Sequence, residues 1–179
     1  VKTADPEARE KMHNASTMAG MAFANAFLGM SHSMAHKIGA VHHTVHGRTN
    51  AILLPYVIRY NGTRPAKTAT WPKYNYWKAD EKFQDIAKML GLPHSTPEEA
   101  VEAYAKAVYE LGVAVGIKMN FKDQGIDEKA WKDSLHEIAL LAYEDQCSPA
   151  NPRLPMVADM EEIMADAYYG YAERPGRRK

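Results

Sequence analysis

Only one cysteine, Cys147, occurs in the 179 residues. A lone thiol excludes an internal disulfide framework and fits a reducing, cytoplasmic setting. An excess of charge of either sign is also missing, because 22 Lys and Arg balance 22 Asp and Glu. Those charges are well mixed, which excludes the basic face of a nucleic-acid binder. No stretch approaches the roughly twenty apolar residues of a membrane-spanning helix. The N-terminus, VKTADPEARE, has no initiator Met, no basic n-region and no apolar h-region, so it does not read as a signal peptide. Val1 therefore reads as a cut through a longer chain or as a processed end. There is no internal repeat, no Gly-rich phosphate loop after a strand, and no convincing strand pattern.

Almost every periodic segment present reads as helix. The first is expected from about Pro6 to about Ala35, with Asp5 as its N-cap and Gly39 as the stop beyond it. Its run STMAGMAFANAFLGMSHSMAH is apolar nearly all round, the pattern of a buried helix. A second helix opens near His46 or Gly47 and runs to about Tyr60, kinked at Pro55. The aperiodic NGTRPAKTATWPKYNYWKAD follows, and its Trp71, Tyr74, Tyr76 and Trp77 are expected to pin a loop to the surface. Further helices are expected over Asp80–Leu90, stopped by Gly91, and after the capping sequence Ser95-Thr96-Pro97-Glu98-Glu99. Another follows Asp127. CSPANPRLP is expected to be a non-helical crossing, because its prolines forbid more. MVADMEEIMADAYYG closes the fold, and YAERPGRRK reads as a frayed tail. The sum is an all-α helical bundle.

Five of the eight histidines fall between Gly29 and Pro55. His32 and His36 are four apart, so on a helix they share one face and could share one metal ion. The pattern is HxxxH without the Glu of HExxH, so the metalloprotease reading loses its general base. Both lie in the last turns before Gly39, where the negative end of the helix dipole would favour a cation. His46 lies ten residues beyond His36, and a turn after Gly39 would let it face the first two. Three imidazoles with an open side suit a catalytic divalent metal rather than a closed structural site. His42 and His43 stand in the expected turn and need no function. His13, His94 and His136 are expected on exposed faces in structural or solvated roles.

The stretch HSMAHKIGAVHHTVHGRTNAILLPYVIRYN resembles the second signature of the iron-containing (group III) alcohol dehydrogenases, in which His-x3-His-x9-His-Gly precedes an ANAILLP-like run. The N-terminal TADPEAREKMHNASTMAGMAFANAFLGMSHSMAHK, together with DQCSPANPRLP and YYG, resembles the C-terminal end of bifunctional aldehyde–alcohol dehydrogenases of the AdhE type. The resemblance covers nearly the whole chain. It implies that residues 1–179 are the helical, metal-bearing C-terminal portion of the dehydroquinate synthase-like fold, with the nucleotide-binding half absent. It also implies four ligands to a divalent metal, an Asp and a His upstream of this chain and then His32 and His46. His36 matches a position that lines the site and belongs to the proton path. This corrects the reading from spacing, which treats all three histidines as equal ligands.

The implied cofactors are Fe(II), with Zn(II) as a substitute, and NAD bound mainly by the other half. The implied reaction is reduction of acetaldehyde to ethanol, with His36 relaying a proton. The implied partners are the small-molecule substrate and further copies of the protein, as a homo-oligomer that can stack into filaments. No nucleic acid or membrane partner is implied. The isolated chain is expected to have little activity, because two ligands and the nucleotide half are missing. Ala150–Arg153 is expected to pack near the cleft in a structural role. Cys147 is not expected to be a nucleophile, since the thioester-forming cysteine belongs to a separate domain in this type. Two other readings stand beside this one, an assembly module derived from such an enzyme and a non-catalytic histidine metal buffer.

Overall fold

Side-chain caps set where three of the helices begin. Asp5 Oδ1 accepts from the Glu7 N–H at 3.1 Å, Thr96 Oγ1 from the Glu99 N–H at 3.2 Å, and Asp127 Oδ1 from the Ala130 N–H at 2.9 Å. Each satisfies an orphan donor of a first helical turn. The structure, a computed structural model, describes residues 4–65 and 77–170. Among them are seven α-helices and no strand: α1 Pro6–Ala26, α2 Met30–His42, α3 His46–Gly62, α4 Ala79–Met89, α5 Pro97–Ala114, α6 Glu128–Tyr143 and α7 Val157–Tyr169. The fold is all-α, as its periodicity predicts. No described helix is long and apolar enough to cross a membrane.

The expected first helix is in fact two. It breaks over Phe27–Gly29, where Phe27 takes φ 64° and ψ −178°. Gly39 does not stop anything; it lies inside α2, which ends with His43 in the left-handed conformation (φ 55°, ψ 34°). The cause of the break is a tertiary contact. Asn151 Oδ1 accepts from the Met30 N–H at 3.2 Å, so a residue 121 positions away caps α2. A Cβ on Gly29 would lie 2.7 Å from that same oxygen. Glycine is required there by close approach, not by its dihedral angles.

The expectation that the first apolar helix is buried is also overturned. No residue of α1 is buried, and Met12, Met18 and Met21 are 68%, 69% and 64% exposed. The core begins with α2 instead. Met30, Met34 and Ile38, spaced by four, are each fully buried. They pack with Ile52, Leu53 and Tyr56 of α3, Ile138 and Ala142 of α6, and Met160, Met164 and Ala167 of α7. Burial of each such large side chain is worth about 1.5–3 kcal/mol. Phe121, Trp131 and Tyr168 stack at centroid distances of 4.9 and 5.2 Å and close one side of this core. A smaller cluster of Ile58, Val101 and Ala105 joins α3 to α5, and α4 packs on α5.

Helix α3 runs unbroken through the buried Pro55. Gly91 at φ 70° lies just past α4, at the expected stop. The crossing after α6 contains a 3-10 turn, Ser148–Ala150, which the proline argument did not anticipate. A proline at the start of so short a turn lacks only an N–H that has no partner there in any case. Trp71, Tyr74 and Tyr76 and the tail at 171–179 lie outside the described residues; Trp77 is half-buried.

Candidate metal centre

Three imidazoles converge where α2 and α3 meet. The ring centroids of His32 and His46 are 5.3 Å apart, those of His36 and His46 5.3 Å, and those of His32 and His36 6.2 Å. The local reason is a tight reversal. His43 caps α2 in the left-handed region, Val45 is the N-cap residue of α3, and His46 is the first residue of α3. Buried Thr49 fixes that reversal through its Oγ1, which donates to Val45 O at 3.1 Å and contacts Thr44 Oγ1 at 2.6 Å.

The break at Gly29 changes the electrostatics expected from sequence. His32 lies in the first turn of α2, not the last turns of a long helix, and His46 opens α3. Both sit at the positive end of a helix dipole, where backbone N–H groups rather than carbonyls face the ring. The His32 pKa is lowered, first by burial and then by the neighbouring His46 and His36. A neutral imidazole with its lone pair available is the form that binds metals. The dipole also opposes a bound cation, but metal–ligand bonding is larger by an order of magnitude.

Asn50 identifies the donor atom on His46. Its Nδ2 lies 3.2 Å from His46 Nε2 and 3.3 Å from the carbonyl oxygen of the same residue. A carbonyl can only accept, so that amide nitrogen is correctly placed and Nε2 must also accept. The lone pair of His46 is therefore on Nε2, the atom a metal would engage in place of the amide. Ser31 Oγ donates to Asn50 Oδ1 at 2.9 Å and ties this arrangement back to α2. Two imidazoles bound about 2.1 Å from one ion at near-tetrahedral angles place their centroids on the order of 5 Å apart. The 5.3 Å between His32 and His46 fits that arrangement. His46 is exposed, so the cluster is open on one side.

Residues that sequence reasoning did not single out complete the surroundings. Asp145 Oδ2 lies 3.3 Å from His36 Nδ1 and 3.0 Å from Lys37 Nζ. Its Oδ1 accepts from the Cys147 N–H at 3.0 Å. Burial raises its pKa, but hydrogen bonds from the Cys147 backbone, Lys37 and His36 outweigh that and hold it well below the usual carboxylate range. His36, Asp145 and Cys147 present metal-capable atoms within 4.8 Å of one another. Lys37 already neutralises that carboxylate, and burial next to Asp145 pushes the Cys147 thiol up to about 11. A protonated thiol beside an ammonium group is a poor cation site. The same facts disfavour Cys147 as a nucleophile.

The remaining histidines fall where a structural role places them. His42 is the last residue of α2, stacks on Trp131 at 5.3 Å and contacts Ser134 Oγ at 2.9 Å. His13 is exposed, His94 Nδ1 meets Leu92 O at 2.7 Å, and His136 pairs with Glu161. Ala150–Arg153 binds the helices that carry the site. Besides capping α2, Asn151 Nδ2 donates to Asn61 Oδ1 at 2.7 Å, and Arg153 Nη1 donates to Tyr60 O at 3.1 Å.

Residues 1–168 match the model of the Fe-containing alcohol dehydrogenase family, C-terminal. The chain is 81% identical, over all 179 residues, to an aldehyde-alcohol dehydrogenase of Streptococcus pneumoniae serotype 2. It is 38% identical over 169 residues, 93% of its length, to the bifunctional aldehyde-alcohol dehydrogenase AdhE of Escherichia coli K12. It covers 20% and 19% of those two proteins, so the chain spans about a fifth of the length of each. Among solved structures, a 1,3-propanediol oxidoreductase superposes with a TM-score of 0.78 at 32% identity, over 92% of this chain and 39% of that one. The iron-containing alcohol dehydrogenase of Thermococcus thioreducens superposes with a TM-score of 0.74 at 33% identity, over 93% and 39%. The family match spans the break at Gly29, the imidazole cluster and the Asn151 crossing alike, and the chain belongs to the Fe-containing alcohol dehydrogenase family, of which it carries the C-terminal part.

Proposed function

We propose that residues 1–179 are the helical, metal-bearing portion of an NAD-dependent, iron-containing alcohol dehydrogenase unit within an aldehyde–alcohol dehydrogenase, and that the reaction is reduction of acetaldehyde to ethanol. The convergence of His32, His36 and His46 across the α2–α3 reversal carries this reading. His32 and His46 are the metal ligands contributed by this chain. The donor set fits, because the His32 pKa is lowered by burial, which favours the neutral imidazole that binds metals, and Nε2 of His46 bears a lone pair. Divalent iron, or zinc in its place, supplies Lewis-acid polarisation of a substrate oxygen when bound.

The chain's own residues do the rest. Asn50, held by Ser31 of α2, donates to the His46 backbone carbonyl and ties the start of α3 to α2. Thr49 keeps the reversal closed so that the two ligands stay on one point. His36, stacked on His46, is within reach of the same region and exchanges the substrate's hydroxyl proton. NAD is held mainly by a separate nucleotide-binding half. A cytoplasmic setting fits the single reduced cysteine. Homo-oligomerisation, with filament stacking, is proposed for the full-length protein; the exposed Met12, Met18, Met21 and Phe23 of α1 supply apolar surface that association would cover.

The test is elemental analysis together with NADH-dependent acetaldehyde reduction by the full-length protein. His32→Ala and His46→Ala are expected to lose iron and activity together. His36→Ala is expected to keep its iron and lose about 100-fold or more in rate. Unchanged iron content in a His32→Ala, His46→Ala double variant would overturn the ligand assignment.

A further inference from the structure

Resting on that reading, we propose that Asp145 is a positioning residue for His36: its carboxylate holds the imidazole as the Nδ1–H tautomer and so keeps the lone pair on Nε2. Asp145 follows α6, 109 residues away from His36, and its side chain is only 8% exposed. It is fixed on two sides, by the Cys147 N–H on Oδ1 and by the Lys37 ammonium on Oδ2. With those donors around it, Asp145 remains ionised at neutral pH.

An ionised carboxylate can only accept hydrogen bonds. His36 Nδ1, 3.3 Å from Asp145 Oδ2, must therefore be the donor. The tautomer of a histidine is set by the bond its other nitrogen makes. Free neutral imidazole side chains prefer the proton on Nε2, so this contact reverses the intrinsic preference. No described residue hydrogen-bonds Nε2, and the side chain is 35% exposed. Nε2 can thus take the hydroxyl proton of an alcohol in the oxidative direction and return it in reduction. Without Asp145 the major tautomer would present an N–H where an acceptor is needed, and the ring would lose its anchor to the turn after α6.

The first experiment is long-range proton–nitrogen correlation NMR on this chain, labelled with nitrogen-15, in mildly alkaline buffer. His36 signals are assigned by their loss in His36→Gln. The expected result is the Nδ1–H tautomer in the unsubstituted chain, shifting to Nε2–H in Asp145→Ala. An Nε2–H tautomer in the unsubstituted chain overturns the proposal, and that outcome does not depend on Asp145→Ala folding. The second experiment uses the full-length protein. Asp145→Ala is expected to lower kcat about 10- to 100-fold while KM for the aldehyde and iron content stay unchanged. Unchanged kcat, or loss of iron along with activity, overturns the positioning role. The tautomer is read without metal or turnover, so it fails or succeeds separately from the dehydrogenase reading. That reading fails if the full-length protein holds no iron.

Discussion

Asn151 is 1% exposed, and both ends of its amide are committed. Oδ1 accepts from the Met30 N–H and from Asn61 Nδ2, while Nδ2 donates to Asn61 Oδ1 and to Arg153 O. Truncation would leave the Met30 N–H and the Asn61 amide unpaired in the interior. Asn151→Ala is expected to cost on the order of 3 kcal/mol, read as a lower urea midpoint, because each buried orphan costs about 1–3 kcal/mol. Cys147 gives a second residue-scale prediction. Its thiol is 1% exposed and raised to about 11 by burial and by Asp145. At neutral pH it should react with alkylating reagents far more slowly than a free cysteine, and at the ordinary rate once urea unfolds the chain. Mass-resolved labelling over time checks both rates.

Among the elements, α1 stands apart. It is 21 residues long, has a good N-cap in Asp5, and buries nothing. Most helical stability in proteins comes from tertiary packing of one face, and α1 has no buried face. Its amides are therefore expected to exchange with deuterium much faster than those of α3, eight of whose residues are buried. Removing residues 1–26 should leave the urea midpoint of the remaining chain within about 0.5 kcal/mol of its starting stability, as for other changes away from packed features. A large loss would mean that α1 supports the core after all. The apolar run of this segment was legible in the sequence, but its burial was not. Periodicity reports which surface a helix would like to cover, whereas a neighbour must be present to cover it. The break at Gly29 was illegible for a related reason, since the atom that stops α1 from continuing belongs to Asn151.

At the scale of the whole molecule, acid should destabilise the fold in two stages. His32 and His42 have pKa values lowered from the ordinary 6.5, by burial first in each case. The unfolded chain then binds more protons than the folded one as pH falls below that value, so stability declines. Asp145 is depressed from an ordinary 3.8. Its stabilising contribution is fully present above that value and is lost as pH falls through the depressed value of the folded state. Urea midpoints of chelator-treated protein should fall between pH about 7 and 5, and again below pH about 4. The second fall should be smaller in Asp145→Asn, which has no carboxylate there to protonate.

The sequence by itself determined that this is an all-α chain, where most helices begin, and that His32, His36 and His46 are the residues to watch. Those features rest on local physics: the 3.6-residue period, side chains that cap the next turn, and histidines four apart on one face. The family signature lies in one continuous stretch, so it too was readable without a structure. Tertiary structure alone decided the electrostatic setting of the site. It split the first helix, moved His32 from a negative helix end to a positive one, and placed Asp145 against His36 across 109 residues. Contacts between residues so far apart leave no periodic trace, because their spacing in the chain has no bearing on which atoms meet once α2, α3 and α6 pack.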